Sequence, residues 1–498
     1  MPSLRRAKSP HSTLTLSLGG EGTLVDQVLR ALRAEIRKLS LGSRMPPTRV
    51  LAEDLGVSRN TVIAAYAELA NEGLIVSHFG GGSFVSDLER ASRPEEAQAP
   101  MEADSDKPAR LSDFATRLRS LDASPILERT ELQYDFRYGL PVVNDFPFNA
   151  WARIVARRAT IGSVSVLGYG DSAGYMPLRV EIAEYLRRAR GITCSPNQVI
   201  VTSGSQQALD LAARILINPG DRVVLEEPTY EGARQAFAAA GARVVAVPVD
   251  KEGLQVAKLP GRSSKCRAVY VTPSHQFPTG AVLSSPRRAQ LLAWARTNEC
   301  FVLEDDYDGE LRYDVRNIEA IKGADADDRV IYIGTMSKVL FPSLRLGYVV
   351  CPRALVDSFV TAKHVCDRQT PALLQMSLSD FMTQGLFSRH LLRAKRLCAH
   401  RRSALLDAAA EFLGDRVTIE GANAGIHVMM WINDRRASDV PALISRAAAI
   451  GVGIYPIVPY FMHPPKRAGL LLGYASMEEK MIREGIQRLA TILVAGPP

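Results

Sequence analysis

The stretch "DDRVIYIGTMSKVLFPSLRLGYVVCP", residues 327–352, decides the fold. Its two apolar runs, "VIYIGT" and "LGYVVC", show no alternation of apolar and polar residues. Such runs read as strands covered on both faces, which is the habit of parallel sheets. Between them stands Lys338, followed at once by Val339, Leu340 and Phe341. A lysine is seldom buried without a partner or a task. This one falls just past the end of a strand, where ligands gather in open α/β sheets.

The same texture extends outward from about residue 160 to 355. "QVIVTS", "DRVVLEE", "ARVVAVPV", "CRAVYVTP" and "CFVLEDD" are further apolar runs, separated by amphipathic stretches. The alternation predicts a mostly parallel, doubly covered sheet. From about residue 385 a basic amphipathic helix, "RHLLRAKRLCAHRRSALLDAAAEFL", leads into strands "GIHVMMWI" and "LLLGYA", each followed by a helix. This predicts a smaller α+β lobe.

Upstream the pattern changes. Residues 24–39 place Leu24, Val25, Val28, Leu29, Leu32, Ile36 and Leu39 on one helical face. Thr48 can cap a short helix that stops at Gly56, and Ser58 can cap the next, which stops at Gly73. "LIVSHF", "GGG" and "SFVSD" then read as a two-stranded ribbon. Residues 88–112 are rich in Glu, Ala, Pro, Ser and Asp and read as a linker. The boundaries predicted are a first domain over 22–87, a linker over 88–130 and a second domain over 131–498.

Composition narrows the function. At 498 residues the chain is too long for one core. No run reaches the ~18 apolar residues that a membrane span needs. The basic start, "MPSLRRAKSPHSTLTLSLGG", lacks the apolar core of a signal peptide and reads as a disordered arm on a cytoplasmic protein. The six cysteines form no C-x-x-C pair and read as buried, reduced thiols, with no metal site. Over residues 1–50, nine Lys and Arg face three Asp and Glu, within a net charge of +8, which points to a polyanion near that end.

Four strand ends carry polar residues that suit one ligand. Ser203-Gly204-Ser205 open a helix and form an anion cradle, although an ordinary capped helix would read alike. Glu304, Asp305, Asp306, Tyr307 and Asp308 end another strand. They could serve a protonated ring nitrogen and a phenolate oxygen, a metal, or only a solvated turn. Thr335, Ser337 and Lys338 end a third, and Arg345 could clamp a phosphate. Together they fit pyridoxal phosphate, with Lys338 as the Schiff-base lysine.

"YGDSAGY", "TSGSQQALDL", "EEPTYEG", "TPSHQFPTG", "EDDYDGELRY" and "TMSKVLFPSLRLGY" give residues 134–495 a resemblance to fold-type I aminotransferases. The resemblance implies that Asp305 pairs with the ring nitrogen and Tyr307 faces the ring hydroxyl. Gly204, Ser205, Gln206, Thr335 and Arg345 would hold the phosphate. Tyr230 would stack on the ring, and Tyr169 would reach the phosphate in the second subunit of a homodimer. Two positions depart from that family. Phe277 stands where an asparagine often touches the ring hydroxyl, leaving Gln276 or His275 to substitute. Leu470–Leu472 fill a strand that often carries an arginine for an amino acid's carboxylate, with Arg467 the nearest alternative.

"LAEDLGVSRNTVIAAYAELANEGLIVSHFGGGSFVSD" resembles a winged helix-turn-helix of the GntR type. Ser58, Arg59, Asn60 and Thr61 would open the recognition helix in the major groove of double-stranded operator DNA, with Arg49 on the backbone. Gly80 to Gly82 would let the wing approach a phosphate. A GntR-type reader joined to an aminotransferase-like domain resembles the MocR/GabR regulators. That implies a sensor of a small amine, amino acid or pyridoxal phosphate without net catalysis. The alternative is an active aminotransferase with an appended DNA-binding module.

Overall fold

The computed structural model describes residues 14, 16–78, 82–86, 110–121, 132–160, 168–313 and 318–494. The chain divides into two units, Met1–Arg110 and Leu111–Pro498. No helix among the described residues is long and apolar enough to cross a membrane.

In the first unit, helix α1 (Leu24–Ile36) starts at a reciprocal cap between Thr23 and Asp26. It buries Val28, Leu29, Leu32 and Ile36. Leu24, expected on that face, is instead 53% exposed, at the first position of the helix. Helix α2 (Thr48–Leu55) ends at Gly56, whose φ of 63° lies in the left-handed region that favours glycine. Thr48 does not cap α2 as expected. It is the first helical residue, and Pro47 occupies the cap. Helix α3 (Arg59–Asn71) starts where Ser58 Oγ accepts the Thr61 amide at 3.1 Å, and it buries Val62, Ala65, Tyr66 and Leu69. Strands β1 (Ile75–His78) and β2 (Gly82–Val85) form the expected antiparallel ribbon. Gly80 and Gly81 of the wing lie outside the described residues.

Two expectations about connecting segments need correction. Leu14 and Leu16, placed in a disordered arm, are buried in the core of the first unit. Residues 110–121, placed in the linker, contain a helix at Asp113–Arg119 capped by Ser112. That helix belongs to the second unit, where Arg117 Nε donates to the Ala239 carbonyl at 2.9 Å. The rest of the expected linker, residues 88–109 and 122–130, lies outside the described residues.

After that helix the second unit continues with β3 (Tyr134–Asp135) and is built on an eight-stranded sheet. Its members are β4 (Val199–Thr202), β5 (Arg222–Glu227), β6 (Arg243–Asp250), β7 (Gly253–Leu254), β8 (Cys266–Val271), β9 (Phe301–Asp306), β10 (Val330–Thr335) and β11 (Gly347–Val350). The order is β4-β11-β10-β9-β8-β5-β6-β7. All seven runs expected as strands are strands. Only β11 among them opposes its neighbours, pairing antiparallel with both β10 and β4. The chain therefore leaves β10 at Thr335 and returns beside it at Gly347, itself opposite Thr202. This fold-back sets the Lys338 loop next to the turn that follows β4.

The smaller sheet contains β12 (Val417–Glu420), β13 (His427–Arg436), β15 (Tyr455–Pro456) and β16 (Arg467–Gly473), in the antiparallel order β12-β13-β16-β15. Helices Leu386–Phe412 and Glu479–Val494 contribute to its core. Strand β14 (Val452–Gly453) pairs with β3, which joins the start of the second unit to its end. The six cysteines are free, and Cys366 is exposed rather than buried as expected.

Candidate functional site

A cavity of about 170 Å³ opens at the carboxyl ends of the large sheet. Lys338 lines it and donates from Nζ to the Gly139 carbonyl at 3.0 Å. Burial pushes the Lys338 ammonium below its ordinary range, while the charges of Asp308 and Asp305 oppose that shift. The net downward shift raises the share of the neutral amine, which is the nucleophilic form.

Strand alternation selects the carboxylate. Along β9, successive side chains point to opposite faces, so Asp305 faces away from Glu304 and Asp306. Glu304 accepts the amides of Ile321 and Lys322, both at 2.8 Å. Asp306 is buried against the Arg190 guanidinium and takes the Tyr332 hydroxyl at 2.6 Å. Asp308 lies 2.9 Å from His275 Nδ1. Of these four carboxylates only Asp305 lines the cavity. Its Oδ2 accepts the Tyr270 hydroxyl at 2.8 Å, and its buried Oδ1 has no partner. Burial is the main cause that pushes the Asp305 carboxyl up to about 7. Among the described residues no group of acidic, His or Cys side chains is arranged to hold a metal.

The opposite end of the cavity suits an anion. Gly204 caps helix Ser205–Leu216 with a φ of 87°, and a Cβ there would meet Arg345 Nη2 at 3.0 Å. Glycine thus gives both the turn and the close approach of the guanidinium. Arg345 Nη2 donates to the Ser203 carbonyl at 2.8 Å. Ser205, Gln206, Thr335, Ser337 and Arg345 all line this end, and the buried Ser337 Oγ has no partner. Gln206 already uses its side-chain amide on the Gly232 carbonyl, so its free donor is the backbone N–H of the first helical turn. An orphaned carboxylate oxygen, an orphaned hydroxyl, a helix N-terminus and a half-buried amine fit the ring nitrogen, phosphate and aldehyde of pyridoxal phosphate.

Tyr307 and Tyr230 also line the cavity. The Tyr307 hydroxyl is 3.0 Å from His275 Nδ1. Tyr169 does not line it and is 89% exposed, under the Arg368 guanidinium. Neither substitute proposed for the missing asparagine reaches the cavity. Gln276 is enclosed by Pro228, Phe277 and Thr279, and His275 is held by Asp308. Arg467 is likewise removed as a carboxylate grip: it bonds Asn433 and Thr418 and lies over Trp431 at the far end of β16. The sequence reading missed Tyr138, Gly139, Tyr270 and His427. Tyr270 carried a signal, as a hydroxyl inside the apolar run Ala268–Val271 of β8.

In the first unit Arg49, Ser58, Arg59 and Asn60 are exposed and Thr61 is half-buried. Arg59 Nε lies 3.5 Å from Thr48 Oγ1, and Arg49 Nε the same distance from Glu53. The start of α3 therefore presents a cation and an amide to solvent at the positive end of the helix.

Residues 143–489 match the model for aminotransferase class I and II, and residues 24–85 match that for bacterial regulatory proteins of the gntR family. The chain is 38% identical to the "probable rhizopine catabolism regulatory protein MocR" of Rhizobium meliloti, over 94% of this chain and 93% of that one. It is 33% identical to the transcriptional regulator TauR of Rhodobacter capsulatus, over 97% and 99%. Among solved structures, the α-aminoadipate aminotransferase LysN of Thermus thermophilus, complexed with N-(5'-phosphopyridoxyl)-L-leucine, is 31% identical with a TM-score of 0.70, covering 77% of this chain and 97% of that one. The gntR match assigns DNA binding to the first unit. A gntR-family reader followed by an aminotransferase class I and II fold, shared end to end with MocR, makes this chain a member of the MocR-type family of transcriptional regulators.

Proposed function

We propose that this protein binds operator DNA as a homodimer in the cytoplasm and reads a small amine through pyridoxal phosphate held at Lys338. The observation that carries the reading is the joining, on one chain, of a helix-turn-helix reader to a cavity lined by the Lys338 amine, by Asp305 with its unpartnered Oδ1 and by Ser337 with its unpartnered Oγ.

When bound, the cofactor supplies an aldehyde that condenses with primary amines and a ring that withdraws electron density. Lys338 is the residue that would hold it covalently. Asp305 Oδ1 would accept a hydrogen bond from the ring N–H, and Tyr307 would face the ring hydroxyl. Gly204, Ser205, Gln206, Thr335, Ser337 and Arg345 would hold the phosphate, and Tyr230 would cover the ring. The exposure of Tyr169 supports a role outside its own cavity, toward the phosphate in the other subunit. An effector switches such a protein only if it binds two of its states with different affinity.

The test titrates the full chain against its operator with and without pyridoxal phosphate and candidate amines, and assays transamination with 2-oxo acids in parallel. Operator affinity that shifts with cofactor or amine, without sustained turnover, is the expected result. Operator affinity indifferent to both, with sustained turnover, would assign the chain to catalysis instead.

A further inference from the structure

The wall of the cavity away from Arg345 is apolar and aromatic. Tyr138, Tyr230, Phe277 and Tyr307 pack there against Leu471, Met429, Ile457 and Tyr460. Leu471 is fully buried, in the middle of β16. Among the described residues the only cations lining the cavity are Lys338 and Arg345, and Arg345 belongs to the anion end. Three arginines come near this wall, and each is engaged elsewhere. Arg137 pairs with Asp135 at 3.2 Å and meets the Tyr455 hydroxyl at 3.3 Å. Arg234 donates to the carbonyls of Pro459 and Phe461. Arg467 is tied to Thr418 and Asn433. A carboxylate entering here would be desolvated without a counter-ion, which is costly.

On this wall, among the described residues, one buried polar side-chain atom is left over. His427 opens β13, is 2% exposed, and lines the cavity between Phe277 and Tyr307, with ring centroids 5.4 Å and 6.3 Å away. Its Nε2 has no partner. The imidazole hydrogen-bonds the backbone of Pro278, which has no N–H to give, so the ring donates to the carbonyl through Nδ1. That fixes the tautomer and leaves Nε2 as an acceptor. Burial holds the ring well below its ordinary titration range, so it stays neutral and offers no charge to an anion.

We infer that the amine read beside Lys338 carries no carboxylate and presents a hydroxyl or N–H hydrogen to His427 Nε2. This rests on the proposed reading of Lys338 as the residue that holds the cofactor. It narrows the effector to amino alcohols and related polar amines and sets α-amino acids aside.

The test uses the full-length, cofactor-loaded protein and matched probes: 2-aminoethanol with serine, tyramine with tyrosine, and propylamine as a probe without a hydroxyl. Binding is read by calorimetry and by the visible absorbance of the bound cofactor. Each decarboxylated amine should bind at least about tenfold more tightly than its amino acid. 2-Aminoethanol should outbind propylamine, and His427→Phe should remove that preference. Leu471→Arg should shift the balance toward serine and tyrosine. Should Leu471→Arg fail to fold, the wild-type pairs decide the matter alone. Amino acids that bind the wild type as tightly as their amines overturn this inference and leave the role of Lys338 intact. A loaded protein whose absorbance no amine disturbs overturns both.

Discussion

The Tyr270 hydroxyl donates to Asp305 Oδ2 at 2.8 Å, which leaves Oδ1 as the one unpaired oxygen of that carboxylate at the cavity wall. A tyrosine on β8 thereby aims a carboxylate on β9. A charge-assisted hydrogen bond from a ring N–H to Oδ1 is worth about 1.5–3 kcal/mol. Asp305→Asn should weaken pyridoxal phosphate binding by roughly ten- to a hundredfold, and Tyr270→Phe by less. Equilibrium dialysis of the three proteins checks this. Unchanged affinity in Asp305→Asn would leave the ring nitrogen without its assigned partner.

The same carboxyl makes the cofactor-free protein sensitive to pH. Its folded pKa is raised to about 7 from an ordinary value of 3.8. A group raised in this way favours folding fully below the lower value, and that contribution is lost as pH rises through the upper one. Cofactor-free protein should therefore melt at a higher temperature for Asp305→Asn than for wild type at pH 8, where the buried charge is present. The gap should narrow near pH 5. Melting curves of both proteins at both pH values measure it.

Lys338→Ala removes the only lysine that lines the cavity among the described residues. The variant should stay folded, because Lys338 Nζ makes just one hydrogen bond there, to Gly139. It should lose the visible absorbance of lysine-bound cofactor and any adduct that survives borohydride. A reducible adduct mapped by mass spectrometry to a second lysine would contradict the assignment.

Arg59 and Arg49 should fail in different ways. Arg59→Ala should lower operator affinity by roughly 1–3 kcal/mol and relax specificity, as loss of a base contact does. Arg49→Ala should weaken all duplexes alike and reduce the dependence on salt, as loss of a phosphate contact does. Binding isotherms on operator and scrambled duplexes at several salt concentrations separate the two.

The strands were legible because buried parallel strands leave long apolar runs, and Lys338 was legible because it interrupts such a run at its end. Choosing among Glu304, Asp305, Asp306 and Asp308 needed the phase of β9, which an unbroken apolar run does not reveal. Tyr138 and Gly139 come from far upstream, so no local pattern ties them to Lys338. His427 reads in sequence as an ordinary residue opening an apolar strand. Its meaning comes from Phe277 and Tyr307, which only the fold brings beside it. Leu14 and Leu16 did leave a signal. "TLTLSL" alternates leucine with Thr and Ser, the period of a strand-like segment with one buried face, but it is short and follows a basic, proline-containing stretch that has no such period.

Tyr138 lies near the start of the second unit and His427 near its end, yet both line one cavity. A chain emerging from the ribosome cannot complete that cavity until β13 and β16 have been synthesised and paired. Contacts so distant in sequence slow folding, and a ligand that binds only the finished form draws molecules out of the unfolded pool. Cellular supply of pyridoxal phosphate would then govern how many copies mature, as well as what each mature copy reports.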